Sequence, residues 1–226
     1  MRRLFMGFAL CFLTASSACA HIPQVSRGPG EWKSILDASA TGWRGYRQTG
    51  LPNGWKVVDS ALTRVGSGGD IVYGAEQFGD FELELEWKIQ PRGNSGIFFR
   101  ANETTERIYE NAPEVQVIDN IGHPDNATEL TLSGSNYALH PAPRDAVRPV
   151  GEWNSIRLVV RGSHVEHWLN GKQVVSYELW SPDWEARVTG SKFRQWPSYG
   201  RATRGFIGLQ DHGDWVAYRR IRVRSL

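Results

Sequence analysis

Residues 81–89 read FELELEWKI. Phe81, Leu83, Leu85, Trp87 and Ile89 fall on one parity and Glu82, Glu84, Glu86 and Lys88 on the other, the period of two that sends side chains alternately to the faces of a strand. One face is wet and the other packs, as in an antiparallel sheet. Residues 164–177, HVEHWLNGKQVVSY, carry two alternating runs around Asn170-Gly171, the pair suited to a hairpin whose two central residues need positive φ. Further short strands are expected at 55–58, 71–73, 96–100, 114–118, 155–161, 205–210 and 216–224, and no window shows a helical period. Short strands punctuated by Gly, Pro and Asn indicate an all-β fold, an antiparallel β-sandwich.

The first 20 residues stand apart. Arg2 and Arg3 precede an apolar run from Leu4 to Leu13, and Ala18-Cys19-Ala20 offers small residues for cleavage, the layout of a secretory signal peptide. The run is shorter than the roughly 20 residues of a membrane span. Export to the periplasm or beyond is expected, with 21–30 a linker and 31–226 one domain. Lipid anchoring through Cys19 stays open as a second reading, although Ser16 stands where an aliphatic residue is usual. Both cysteines, Cys11 and Cys19, lie in this leader, so the remainder has no thiol for disulfides, cysteine metal sites or cysteine catalysis. Without Arg2 and Arg3 the 26 basic residues fall to 24, equal to the 24 acidic ones. A neutral chain has no electrostatic footprint for nucleic acid. Ten tryptophans and seven tyrosines supply flat rings suited to cores, interfaces and sugar faces.

Three stretches, 101–113, 120–150 and 179–204, are polar, rich in Pro and Gly, and too long for hairpin loops. They contain Tyr109, His123, Tyr137, His140, Trp184, Lys192 and Trp196 and are expected to wall a binding cleft. Within the strands, NSGIFFR (94–100) ends in Arg100, which needs a partner: a structural ion pair or a carboxylate or sugar ligand. EVQVID (114–119) sets Glu114 and Gln116 on one face above Val115 and Val117, with Asp119 at odd spacing. Paired carboxylates would serve a glycosidase, but Gln116 between them cannot ionise. His167 shares the parity of Val165 and Leu169 and reads as a satisfied, partly buried ring. His212 follows Gln210 and Asp211 at a turn, where it is either a base held by a neighbouring acceptor or part of a turn that Asp211 caps. The sequence has no phosphate loop, G-x-S-x-G elbow or clustered metal spacing.

In order, NSGIFFR, YENAPEVQVID, GEWNSIRLVVRG, HWLNGKQV, SKF and GFIGLQDHGDWVAYRRIRV resemble the 3-keto-disaccharide hydrolase domain family, from about Trp43 to the C-terminus. The resemblance implies a concanavalin-A-like β-sandwich of the lectin/glucanase jelly-roll kind and an exported enzyme that cleaves glycosides already oxidised at C3. A C3 ketone acidifies the C2 hydrogen, so a base removes it, the enolate expels the C1 substituent and water adds back. This chemistry needs a base, a donor for the enolate oxygen and an acid for the leaving group. The resemblance places Arg100, Glu114, Gln116, Asp119, Tyr137, Lys192, Gln210 and His212 around the cleft, with Asn94 added as a substrate contact. His212 is assigned as base or acid, Glu114 and Asp119 as sharing or orienting proton transfer, and Lys192 and Arg100 as polarising the ketone. One departure is visible: Arg219-Arg220-Ile221 stands where the family commonly has Arg-Asn-Ile. No cofactor is required, though carboxylates and His212 offer ligands to a divalent cation. The implied partners are a small 3-keto-glycoside and a separate sugar 3-oxidoreductase that makes it. Two other readings stand beside this one: a non-catalytic carbohydrate-binding sandwich, and an ordinary glycosidase using Glu114 and Asp119.

Overall fold

The FELELEWKI alternation folds into the longest strand but one of a two-sheet sandwich. The computed structural model describes Met1 and residues 29–226. The expected leader, Met1 apart, and most of the expected linker lie outside the described residues. Thirteen strands follow in chain order: β1 (Lys33–Ser34), β2 (Trp43–Gly45), β3 (Trp55–Val58), β4 (Ala61–Arg64), β5 (Ile71–Tyr73), β6 (Phe81–Ile89), β7 (Asn94–Ala101), β8 (Glu114–Ile118), β9 (Asn154–Arg161), β10 (His164–Leu169), β11 (Lys172–Glu178), β12 (Phe206–Leu209) and β13 (Val216–Ser225). One sheet has the order β11-β10-β9-β6-β13-β4-β3 with β1 beside β13, the other β2-β5-β12-β7-β8. The ladders are antiparallel, as the half-wet alternation requires.

The core lies between the sheets. Leu83, Leu85 and Trp87 of β6, Ile156 and Leu158 of β9 and Tyr218 of β13 face Ile97 and Phe99 of β7, Val115 and Val117 of β8 and Leu209 of β12. Each fully buried aliphatic or aromatic side chain contributes roughly 1.5–3 kcal/mol. The β10–β11 turn has φ of 51° at Asn170 and 82° at Gly171, the left-handed pair expected there. Among the described residues no helix is long and apolar enough to cross a membrane.

Three expectations need correction. Residues 179–204 are not all loop: α1 spans Pro182–Gly190, capped by Ser181, whose side chain accepts a hydrogen bond from Trp184 N, with Pro182 in its first turn. Only Trp184 and Val188 of this helix are buried, so nine residues show one i, i+4 apolar pair and no longer period. Trp184 and His140 also leave the cleft. Trp184 is fully buried, and His140 stacks on Tyr177 at 4.3 Å in a chain of parallel rings that continues through Trp184 to Tyr199. His167 is buried with Nδ1 2.9 Å from Gly134 O, more enclosed than expected.

Candidate active site

The five-stranded sheet turns one face to the core, and the other face carries a second, smaller apolar cluster of Tyr46, Val72, Phe98, Ala101, Ile108 and Ala112. Beyond that cluster the same face becomes polar. Because β8 alternates, Val115 and Val117 enter the core while Glu114 and Gln116 stand on this opposite face. Gly96 of β7 pairs with Gln116, and a Cβ at Gly96 would overlap the Glu114 carboxyl. The strand is therefore bare where the Glu114 side chain lies over it. Gln210 follows β12 and donates its N–H to Gly96 O at 2.9 Å, while Ser95 Oγ donates to Gln210 O at 2.7 Å. Both contacts fix Gln210 beside Glu114.

Glu114 is buried and burial raises its carboxyl to about 8, against the opposing pull of the Lys192 ammonium and a side-chain contact from Gln210. Asp70, just before β5, is the other raised carboxyl among the described residues: burial raises it to about 6, and it accepts Asp211 N–H at 2.9 Å. Lys192 comes in from the opposite rim, on a short 3-10 turn at Lys192–Gln195 that Ser191 caps through Phe193 N. Its Nζ lies 4.4 Å from the Tyr137 ring centroid and 6.0 Å from that of Tyr109. Desolvation lowers Lys192, with Glu114 and then Asp125 pulling the other way. Tyr109 meets Trp196 edge to face at 5.6 Å, making an aromatic wall beside the lysine. The Gln116 amide has two settings: its nitrogen donates to Asn94 Oδ1 at 3.2 Å, or, turned over, to Glu114 Oε1 at 3.1 Å. Gln210 Oε1 is buried and has no partner among the described residues, which leaves an acceptor free for a ligand hydroxyl.

From Asn94 the polar face runs on to the histidines. Asn94 N–H donates to Asp214 Oδ2 at 3.0 Å, and Asp214 Oδ2 lies 3.9 Å from His212 Nδ1. His123 packs edge to face on His212 at 6.0 Å. The carboxylate facing His212 is thus Asp214, not Asp211. Asp211 is occupied by Arg64 Nε at 2.5 Å and by the N–H groups of Gly68, Gly69 and Gly213 at 2.9–3.0 Å, the turn-capping alternative. One ligand atom each from His123, His212 and Asp214 lie within 4.8 Å of one another and could hold a metal ion. However, His123 Nδ1 already accepts Asp125 N–H at 3.0 Å. That bond places the neutral ring's proton on Nε2 and leaves no lone pair for a cation there unless it breaks.

The structure therefore brings together Glu114, Gln116, Asn94, Gln210, Tyr137 and Lys192, with His212 at one end. It does not bring in two residues. Arg100 is buried and spends its donors on Gly79 O at 3.1 Å, Gly162 O at 2.8 Å and Asp80 Oδ1 at 3.2 Å, so the ion-pair alternative describes it. Asp119 accepts Arg92 N–H at 2.8 Å and Ile121 N–H at 3.0 Å, and with Gly122 these bonds hold its carboxyl below the usual range. It closes two turns at the strand end and is not the second acid of a pair with Glu114. Asp70, Asp125 and Asp214 went unrecognised because each sits alone in a polar loop, where Asp ordinarily serves turns.

Residues 31–224 match the 3-keto-alpha-glucoside-1,2-lyase-like domain. A 3-keto-disaccharide hydrolase of Bacteroides thetaiotaomicron is 39% identical over a match that covers 85% of this chain and 78% of that protein. A candidate glycosyl hydrolase of Parabacteroides distasonis superposes with a TM-score of 0.79 at 29% identity, over 86% of this chain and 94% of its own. A galectin-like protein of Bacillus subtilis shares the fold alone, with a TM-score of 0.57 at 16% identity over 88% of this chain and 96% of its own.

Proposed function

The chain belongs to the 3-keto-alpha-glucoside-1,2-lyase-like family, and we propose that it cleaves 3-keto-glycosides, disaccharides among them, by removing the C2 proton and expelling the C1 substituent. The observation that carries this reading is the Glu114 carboxyl, buried over Gly96 opposite Lys192 and raised to about 8. At neutral pH such a group is largely protonated and so suited to give a proton to a leaving oxygen. His212, with the Asp214 carboxylate 3.9 Å from its Nδ1, takes the C2 proton. The C–H pair becomes the enolate C2=C3 bond, and Lys192 stabilises the charge on the C3 oxygen. Collapse of the enolate restores the ketone, forms C1=C2 and breaks the bond from C1 to the departing oxygen, which leaves with the Glu114 proton. Addition of water at C1 and return of the proton to C2 complete a net hydrolysis. Gln210 Oε1 and the Asn94–Gln116 pair offer contacts to ring hydroxyls, and the Tyr109–Trp196 wall a surface for the departing group.

A two-carboxylate glycosidase has less support, since Asp119 is committed to the turns. The leader features of residues 1–20 favour export, which the mass of the mature N-terminus tests. The substrate class requires an upstream oxidation of a sugar at C3 by a separate oxidoreductase. The deciding experiment incubates the protein with a glucoside and its 3-keto derivative in deuterated water. Release from the keto form alone, with deuterium at C2 of the product, supports the mechanism; equal release from both, or no deuterium, refutes it.

A further inference from the structure

The eight-stranded sheet has its own outer face, where Glu84 and Glu86 point away from the core and hence away from Glu114. That face carries a cavity of about 870 Å3. Trp32 and Trp168 line it, together with Arg220 and Arg222, which pair with Glu86 and Glu84, and Arg157, which pairs with Glu82. Its arginines hold their acidic neighbours by one edge only. Arg220 Nη1 donates to Glu86 Oε1 at 2.9 Å, and Arg222 Nε and Nη2 both go to Glu84 Oε2. Arg220 Nε and Nη2 and Arg222 Nη1 have no hydrogen-bond partner among the described residues. The tryptophans are stiffened by the same cations: the Arg222 guanidinium lies 4.7 Å from the Trp32 ring centroid and that of Arg157 5.1 Å from Trp168.

Arg220 is the odd residue. The β13 ladder to β6 slips between Arg219 and Arg222, and at this bulge Arg220 has φ of 52°. Asn or Gly adopts that left-handed conformation with less strain than Arg. Its side chain is 71% exposed and shares Glu86 with Arg219, so the pairing that it adds is one Glu86 already has. At this bulge the left-handed backbone turns the Arg220 side chain, with its spare guanidinium edge, toward the cavity that it lines.

We infer that this cavity is a second, non-catalytic sugar site that takes carboxylated oligosaccharides. The free edges of Arg220 and Arg222 would fork onto uronate carboxylates, while the indoles of Trp32 and Trp168 pack against the C–H faces of the sugar rings. The site is independent of the proposed catalysis, which lies on the other sheet.

Calorimetric titration tests it with tetragalacturonate, uncharged maltotetraose and tetra-aspartate as probes. The expected result is binding of tetragalacturonate alone, weakened at least tenfold by Arg220→Asn. That variant should melt no lower than the parent and turn over a 3-keto-glucoside at the parental rate. Lys192→Met should leave the affinity unchanged. The inference is overturned by no binding, by equal binding of either other probe, by an unaltered affinity in Arg220→Asn, or by loss of binding in Lys192→Met, which would move the ligand to the other face.

Discussion

Gly96 has no side chain because the Glu114 carboxyl fills the place where its Cβ would stand. Gly96→Ala should push that carboxyl off its position and lower kcat at least a hundredfold, with circular dichroism unchanged. Adding Glu114→Ala should recover the lost thermal stability but not the rate; recovery of neither would mean that the strand cannot accept any side chain there. Glu114→Gln keeps the shape, and it should lower kcat by about two to four powers of ten if Glu114 transfers a proton. It also carries a pH signature. The folded carboxyl is raised to about 8 from an ordinary 4.5, so the folded state holds a proton that the unfolded chain releases above about 4.5. The stability from that proton is complete below the unfolded value and is lost as pH rises through about 8. Melting of Glu114→Gln should therefore match the parent near pH 4 and exceed it increasingly toward pH 8; a constant gap would mean that Glu114 is not raised. The parity of EVQVI was enough to place Glu114 above the core. The fate of Asp119 was not legible, because its partners are backbone N–H groups of two turns that exist only once the chain has folded.

At the level of elements, alternation exposed strands wherever one face stayed wet, as in β6, and the Asn170-Gly171 turn marked the β10–β11 hairpin. It caught the short β3 and β5 but not the equally short β4 and β2. β4 is ALTR and β2 is WRG, runs whose pairing depends on distant neighbours, Tyr218 against Leu62 and Tyr73 against Trp43. The helix α1 had only its N-terminal chemistry to announce it: Ser181, Pro182 and the acids Asp183 and Glu185 in its first turn. That helix ends at the serine cap that sets Lys192, so the two serines should separate stability from activity. Ser181→Ala should cost about 1 kcal/mol in the urea midpoint by removing the N-cap and leave kcat nearly unchanged. Ser191→Ala removes acceptance from Phe193 N at 3.1 Å and donation to Val188 O at 2.9 Å. It should lower kcat about tenfold through misplacement of Lys192, with little change in KM for a neutral aglycone. The reverse pattern would show that the lysine's turn is held by the helix as a whole rather than by its cap.

Across the whole molecule the sandwich divides its tasks by face. The core fills the space between the sheets, the polar outer face of the five-stranded sheet gathers the titratable groups, and the eight-stranded sheet meets solvent through an Arg–Glu ladder. Arg100 belongs to none of these surfaces. It leaves β7 with φ of 50° and ties that strand to Gly79, Asp80 and Gly162, which lie in the turns before β6 and between β9 and β10 of the other sheet. An arginine at a strand end looks the same in sequence whether it clamps sheets or binds substrate, since the carbonyls it meets are more than 20 residues away for β6 and more than 60 for the hairpin. Arg100→Met discriminates the two. Methionine can fill part of the volume but leaves the carbonyls of half-buried Gly79 and exposed Gly162 without their guanidinium donor, and the cost is at most roughly 1–3 kcal/mol at Gly79 because water reaches Gly162. Because the Asp80 side chain is 43% exposed, its loss of a partner adds little. The stability read from urea unfolding should therefore fall by roughly 1–3 kcal/mol, while kcat/KM for a 3-keto-glucoside, measured per folded molecule at low temperature, stays within about threefold of the parent. A full midpoint with a hundredfold lower kcat/KM would return Arg100 to the substrate and require the two sheets to meet at the active site rather than behind it.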